Sequence, residues 1–355
     1  MKEALVSPDL SVTVRKSAIP EPGKGEVLIK VICSGCNPKD WKYPAYSGET
    51  VNSGDDIAGE VARVGGDVYE FGLGDRVAAM HIMRTRGGSF AEYAIAPAST
   101  TFHLPKTVSF EEAATIPLAA LTASVALYHN LRLPYPWEQS RRRTPLLIYG
   151  GTSAIGTFAI KLALRSNIHP LIIVAGRSRD TLGRLLQKSQ GDAVIDYRDG
   201  PNATVAGIQE ALKAANSGPA YYAFDAISDG CSFQTLSKVL EPQGHITVVL
   251  PEGDYNSIPP SLTTSLTYVG IVHTSSLELS ALNGIRFVAE GDGKDLGFIF
   301  SRLFGKGLAE GWFSAHAHEI VPGGLEGVSH ALQSLRDGKA RAVKYIIKPQ
   351  DTVEH

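Results

Sequence analysis

Hydrophobic and polar positions along this chain follow two different patterns, and the change falls near residue 145. Beyond it, short apolar runs alternate with stretches of helical period. The clearest unit opens at Leu146–Tyr149, four apolar residues that are too short for a helix and read as a buried strand. Gly150-Gly151 turns the chain. Ile155, Phe158, Ala159, Leu162 and Ala163 then repeat at i, i+3, i+4, i+7 and i+8, one face of a helix. Further strands are predicted at 171–174, 193–195, 221–226, 245–250 and 268–272, with helical patterns between most of them. One such helix, 232–240, is ended by Pro242 and Gly244. Six strands with crossovers of this length predict an α/β fold built on a doubly wound parallel sheet.

Before residue 120 the pattern is β-rich. Strands are predicted at 26–32, 57–64 and 75–79, punctuated by Gly23, Gly25, Gly35, Gly54, Gly65, Gly66, Gly72 and Gly74. The stretch 111–127 reads as a helix interrupted at Pro117. After the predicted sheet the tail reads as helix, loop, a helix over 325–335 and a last strand over 342–347, expected to rejoin the N-terminal domain.

Composition adds mainly exclusions. With 355 residues the chain has room for two domains, and a formal net charge of -2 gives no reason to expect nucleic acid or an anionic membrane as partner. The three cysteines cannot make a disulfide framework and suit a reducing compartment. The first ten residues hold no apolar signal region, and no run of apolar residues long enough to span a bilayer is evident, so the expected location is the cytoplasm.

The turn after the first α/β strand is the first candidate for chemistry. Gly151-Thr152-Ser153-Ala154-Ile155-Gly156 follows a strand and opens a helix, where backbone N–H groups meet a pyrophosphate. Serine stands in place of the usual second glycine; it leaves less room and adds a hydroxyl donor. An ordinary tight βα turn is the alternative.

Several ordered motifs carry a family resemblance: Asn37-Pro38-Lys39-Asp40, Asp56-Ile57-Ala58-Gly59-Glu60-Val61, Gly74-Asp75-Arg76-Val77, Gly87-Gly88-Ser89-Phe90-Ala91-Glu92-Tyr93 and Ala113-Ala114-Thr115-Ile116-Pro117. With the glycine turn and Asp196-Tyr197-Arg198-Asp199 they cover nearly the whole chain. On these the chain resembles the medium-chain dehydrogenase/reductase superfamily, in its zinc-free quinone-reductase branch. Within it the chain most resembles the trans-acting enoyl reductases of iterative polyketide synthases. That narrower match rests on Tyr149-Gly150-Gly151-Thr152-Ser153, on the Pro-rich basic insert 133–145, and on Pro322-Gly323-Gly324-Leu325 with Gly338-Lys339 and Lys344-Tyr345. The resemblance implies a Rossmann NADPH-binding domain over 123–282. It also implies a β-rich, GroES-like barrel domain over 1–122 that is completed by about 283–355.

Many relatives hold zinc. A catalytic zinc needs about three protein ligands and a structural one usually about four cysteines. Cys33-x-x-Cys36 has no second cysteine pair, and resemblance places Asn37 and Asp55 where the zinc enzymes carry ligands. No metal is expected, and the cysteines read as small core residues.

Cofactor choice turns on the end of the second strand of the sheet, where NAD enzymes place an acidic residue. This chain has Arg177-Ser178-Arg179 there, with Asp180 only later, which favours NADPH; a solvated loop is the alternative. Resemblance adds Lys39, Asp40, Trp41, Lys42, Thr122, Gly151, Thr152, Ser153, Ala154, Tyr197, Val249, Leu250, Ala342 and Val343 around the cofactor. It puts Val269, Gly270, Ile271, Val272 and His273 along the acyl pocket. Core packing or a solvated surface is the plainer reading of each. His316 and His318 read as surface residues, and Arg141-Arg142-Arg143 as a solvated loop or a docking charge for an acidic carrier domain.

The resemblance thus implies an NADPH-dependent enoyl reductase acting on an α,β-unsaturated acyl thioester held by a polyketide synthase carrier domain. Lys42 is the expected proton donor or relay; a surface lysine or a ribose ligand is the alternative. A monomer is expected. A quinone or enone reductase on free small molecules, and a catalytically idle nucleotide-binding protein, are the rival readings.

Overall fold

The computed structural model describes all residues except 275, 281–285, 291, 354 and 355, with backbone alone over 276–280 and 286–290. The chain divides into two compact units, Met1–Leu121 with Lys294–His355, and Thr122–Gly293. The boundary expected at 282–283 lies outside the described residues.

In the first unit the strands are β1 (Lys2–Val6), β2 (Val12–Lys16), β3 (Glu26–Gly35), β4 (Asp56–Val64), β5 (Arg76–Met80), β6 (Tyr93–Pro97) and β7 (Thr101–His103), with helices α1 (Pro38–Ser47) and α2 (Phe110–Ala113). Helix α3 (Pro117–Ser124) starts at the proline, whose missing N–H costs nothing in a first turn. Alternating burial puts Val27, Ile29, Val31, Ile57, Val61, Val77 and Ala79 on one core face.

The second unit holds β8 (Leu146–Tyr149), α4 (Ala154–Arg165), β9 (Leu171–Ala175), β10 (Ala193–Asp196), α5 (Pro201–Ala214), β11 (Tyr222–Asp225), α6 (Ser232–Ser237), β12 (His245–Val248), β13 (Thr263–Leu266), β14 (Ser276–Ser280) and β15 (Arg286–Glu290). The chain then returns to the first unit with α7 (Gly293–Glu310), β16 (His318–Ile320), α8 (Gly327–Arg336) and β17 (Lys344–Ile347). Strand β17 pairs antiparallel with β3, so the tail closes the N-terminal sheet.

Six parallel strands of the second unit run in the order β10-β9-β8-β11-β12-β13. The order reverses between β8 and β11, and ligands of such sheets bind outside the strand C-termini at that switch point. The sixth strand is a correction. It is Thr263–Leu266, in parallel register with His245–Val248, while Val269–His273 is a 3₁₀ turn. An apolar run of five residues satisfies strand and turn alike, and only the partner register separates them. Likewise β12 stops at Val248, so Val249 and Leu250 lie just beyond it.

One helical stretch, Phe110–Asn130, is long and apolar enough to cross a membrane, against the expectation from sequence, but 83% of its most apolar window is buried in the fold. It is a core element here. Its last turns, Val125–Asn130, widen to a π-helix.

Candidate functional site

The glycine turn is built by close approaches. Gly150 has φ 81°, in the left-handed region, and a Cβ there would lie 2.4 Å from Ile227 Cγ1. At Gly151 a Cβ would stand 2.1 Å from Ile173 Cγ2, and at Gly156 2.3 Å from the Gly150 carbonyl oxygen. These glycines bring α4 down onto β8 and β9. Ser153 explains the departure from an all-glycine signature: it is the N-cap of α4, and its Oγ accepts the Gly156 N–H at 3.0 Å. First-turn amides have no partner inside their helix, so those of Ala154 and Ile155 are suited to an anion. Thr152, Ser153 and Ala154 are half-buried and Gly151 is buried beneath them.

At the end of β9, Gly176 lies under the Tyr197 ring, 2.8 Å from its hydroxyl for a notional Cβ, and Tyr197 stacks on Tyr149 with centroids 5.9 Å apart. Arg177 is exposed and forms no ion pair with a described residue, with Ser178 half-buried beside it. Arg179 is a correction. It pairs with Asp196, which Arg198 also holds through Nε at 2.9 Å, so it is not free for a phosphate. The Arg198 hydrogen bond holds the Asp196 carboxyl well below the usual carboxylate range.

At the switch point Asp225 ends β11 in register with Tyr149 and is fully buried. It accepts the N–H of Ile227 at 3.0 Å, the N–H of Ser228 at 2.8 Å and the Ser232 hydroxyl at 2.5 Å. Burial pushes its pKa up to about 6. Ser228 Oγ in turn accepts the Val249 N–H at 2.8 Å, and the Tyr255 hydroxyl donates to the Leu250 carbonyl at 2.6 Å. Val249 and Leu250 are thereby fixed and half-buried at the crest of the sheet. Thr122 is buried in α3, ahead of the π-helix, whose Asn130 amide donates to Thr247, Thr267 and the Leu266 carbonyl. The anchoring roles of Asp225, Ser228, Tyr255 and Asn130 escaped sequence reasoning. The available signal was an aspartate inside the apolar run of β11.

The proposed acyl-pocket residues sit on the 3₁₀ turn. Gly270 and His273 are half-buried, Val269 and Ile271 are buried, and Val272 has no exposed surface at all. Val272 is thus a core residue rather than a pocket wall. In the basic insert Arg143 is bound to the Gln190 carbonyl at 2.8 Å, leaving Arg141 and Arg142 as exposed charges.

In the first unit Asn37, Pro38 and Asp40 start α1 as a capping box, with the Asn37 N–H bonded to Asp40 at 2.8 Å. Asp40 is fully buried and has no surface for a cofactor, a correction of its expected role. Lys39 is turned inward too: its ammonium lies 2.9 Å from Asp40, pairs with Asp55, and donates to the Ser53 carbonyl. Burial pulls the Lys39 pKa down, but the two carboxylates outweigh it and hold it above the ordinary lysine value. The remaining Asp55 oxygen meets His81 Nδ1 at 2.8 Å. Lys39 is therefore a counterion to both carboxylates, which departs from the expectation that it serves the cofactor. Trp41 and Val343 pack on one apolar cluster with Val321, Leu325, Tyr345 and Ile347. Ala342 adopts φ 55°, a strained backbone for a residue with a Cβ. Lys42 is half-buried, its Nζ 5.6 Å from the Trp41 ring centroid. His316, read as a surface residue, is buried.

Zinc does not fit these residues. Asn37 donates to Asp56 at 2.7 Å, Asp55 already holds a cation of the chain, and burial raises the Cys33 thiol to about 12 and Cys36 well above its ordinary value. Among the described residues no group of three or more His, Cys, Asp or Glu side chains is placed to hold a metal. The second unit is compatible with a nicotinamide dinucleotide: it has a capped helix start, close glycines and, beyond β9, a guanidinium without an ion pair to a described residue.

A doubly wound sheet with this turn, joined to a β-rich unit, defines the class as a nicotinamide-dependent oxidoreductase. Residues 23–106 match the alcohol dehydrogenase GroES-like domain. The chain is 44% identical to trans-enoyl reductase fsr4 of Gibberella fujikuroi over 92% of either chain, and 31% identical to trans-enoyl reductase resD of Aspergillus sclerotiorum over 98% of this chain and 99% of that one. A mycobacterial structure solved with NADPH superposes with a TM-score of 0.72 at 21% identity, over 98% of this chain and 100% of that one. The chain belongs to the medium-chain dehydrogenase/reductase superfamily, in the family of the trans-enoyl reductases.

Proposed function

We propose that this chain is an NADPH-dependent enoyl reductase acting on an α,β-unsaturated acyl thioester carried by a polyketide synthase carrier domain. The observation that carries the cofactor choice is the end of β9: Arg177 is exposed without an ion pair to a described residue, while Asp196 is neutralised by Arg179 and Arg198. A 2′-phosphate suits such a surface and a bare ribose hydroxyl leaves it unused. The substrate class is supported by the names of the relatives at 44% and 31% identity.

In this reading the α4 start takes the pyrophosphate, and Arg177, Ser178 and Tyr197 take the 2′-phosphate. Thr122, Val249 and Leu250 flank the nicotinamide. Gly270 and His273 offer the accessible part of the acyl pocket, with Val269 and Ile271 behind them. The nicotinamide, when bound, supplies a hydride to Cβ. Lys42 stabilises the negative charge that then develops on the thioester oxygen and gives a proton to Cα, so one hydride and one proton saturate the bond. Arg141 and Arg142 offer an acidic carrier domain a docking charge.

The test follows NADPH oxidation with three acceptors: a carrier-bound enoyl thioester, a free enone and a quinone. Turnover fastest with the carrier-bound thioester is expected. Preference for a free acceptor makes the chain an enone or quinone reductase, and no turnover with any acceptor makes it a binding protein.

A further inference from the structure

We propose that Asp225 is a positioning residue for the dinucleotide, tying the phosphate turn after β8 to the crest beyond β12. The proposal rests on the reading that the dinucleotide binds at the switch point of this sheet.

A carboxylate buried at a strand end is costly unless donors surround it, and Asp225 has three: two backbone amides of the loop that follows and the hydroxyl at the first residue of α6. Each donor fixes something different. The Ile227 N–H holds the residue whose side chain fills the space above Gly150, where a Cβ would meet Ile227 Cγ1 at 2.4 Å. The Ser228 N–H holds a residue at φ 56°, a backbone conformation that L side chains adopt at a cost. Held there, Ser228 donates to the Asp225 carbonyl at 3.0 Å and accepts the Val249 N–H at 2.8 Å. The Ser232 hydroxyl anchors the start of α6 to the same carboxylate. A continuous chain of contacts thus runs from Gly150 through Ile227, Asp225 and Ser228 to Val249. Both of its ends face the C-terminal edge of the sheet. A residue that merely closed a turn would need the two amides alone; the Ser228 link to Val249, just beyond β12, is what makes the arrangement a brace across the switch point.

The experiment measures dissociation constants of NADPH and NADH by fluorescence titration for the wild type, Asp225→Asn, Ser228→Ala and the double variant, with the unliganded melting temperature of each. Each single variant should weaken both dinucleotides by the same factor, roughly tenfold for the loss of a hydrogen bond in the brace. The double variant should lose no more than the worse single one, because both act through one chain of contacts. Losses that add, a loss confined to NADPH, or wild-type affinity in the single variants would each overturn the proposal. Should Asp225→Asn fail to fold, Ser228→Ala decides alone, since it cuts the link to Val249 and leaves the carboxylate in place. A wild type that binds neither dinucleotide would overturn the cofactor reading, and this proposal with it.

Discussion

At the scale of the residue, charge placement separates the lysines and arginines left open for the proposed chemistry from those that hold the fold. Arg177 is exposed without an ion pair to a described residue, whereas Arg179, two positions on, is spent on Asp196. Arg177→Glu should therefore weaken NADPH about ten- to a hundredfold more than NADH, the worth of one charge-assisted hydrogen bond; titration with both dinucleotides checks it. Lys42→Met should lower kcat by about 10²–10⁴-fold with little change in NADPH affinity, as expected when a general acid is removed. Normal kcat with poor NADPH binding would move Lys42 to the cofactor site. Lys39→Met should act on stability instead. It strips the buried Asp55 and Asp40 of their counterion, a loss of about 3 kcal/mol, read by urea unfolding.

At the scale of the element, the phosphate turn is stabilised by its cap. Ser153→Ala should cost about 1 kcal/mol of unfolding free energy, and Ser153→Gly only about a few tenths, because glycine is itself a tolerated N-cap. The brace after β11 has a pH signature. The folded-state pKa of Asp225 is raised from 3.8 to about 6, so between those values the folded protein keeps a proton that the unfolded chain has released. The stability this contributes is complete below the lower value and is lost as pH rises through the upper one. Asp225→Asn should flatten that part of the stability profile, measured by denaturant unfolding across the window. The short strand β13 shows how far an element could be read in advance. Thr-Thr-Ser-Leu has little apolar pattern, and it becomes the sixth strand only because β12 offers its open edge.

At the scale of the whole molecule, the edge of the nucleotide sheet bears on assembly. Strand β13 ends the sheet order, and its exposed and half-buried positions are Thr263, Thr264 and Ser265. A short polar edge is a poor template for pairing with a second copy. A monomer of 37.9 kDa is the expected result of light scattering, and twice that mass would refute it.

The sequence by itself determined whatever depends on local chain geometry. A strand, a glycine turn and an apolar helix face announce the phosphate turn, since turn propensity and side-chain period are properties of neighbouring residues. The doubly wound sheet followed from the spacing of its strands, and the expectation of NADPH rests on three consecutive residues, Arg177 to Arg179, after β9. Tertiary structure decided everything that needed a distant partner. Lys39 and Asp40 stand in a motif that resemblance assigned to the cofactor, yet Asp55, brought over by β4, turns Lys39 inward. Val272 and His316 were legible as apolar or polar but not as buried, because burial is set by what packs on them. Asp225 lay unremarked inside the strand predicted over 221–226, and only the fold gives it Ile227, Ser228 and Ser232 as donors. Electrostatic and hydrogen-bonding partners act over a few ångströms of space, and the fold alone converts positions far apart in the chain into that distance.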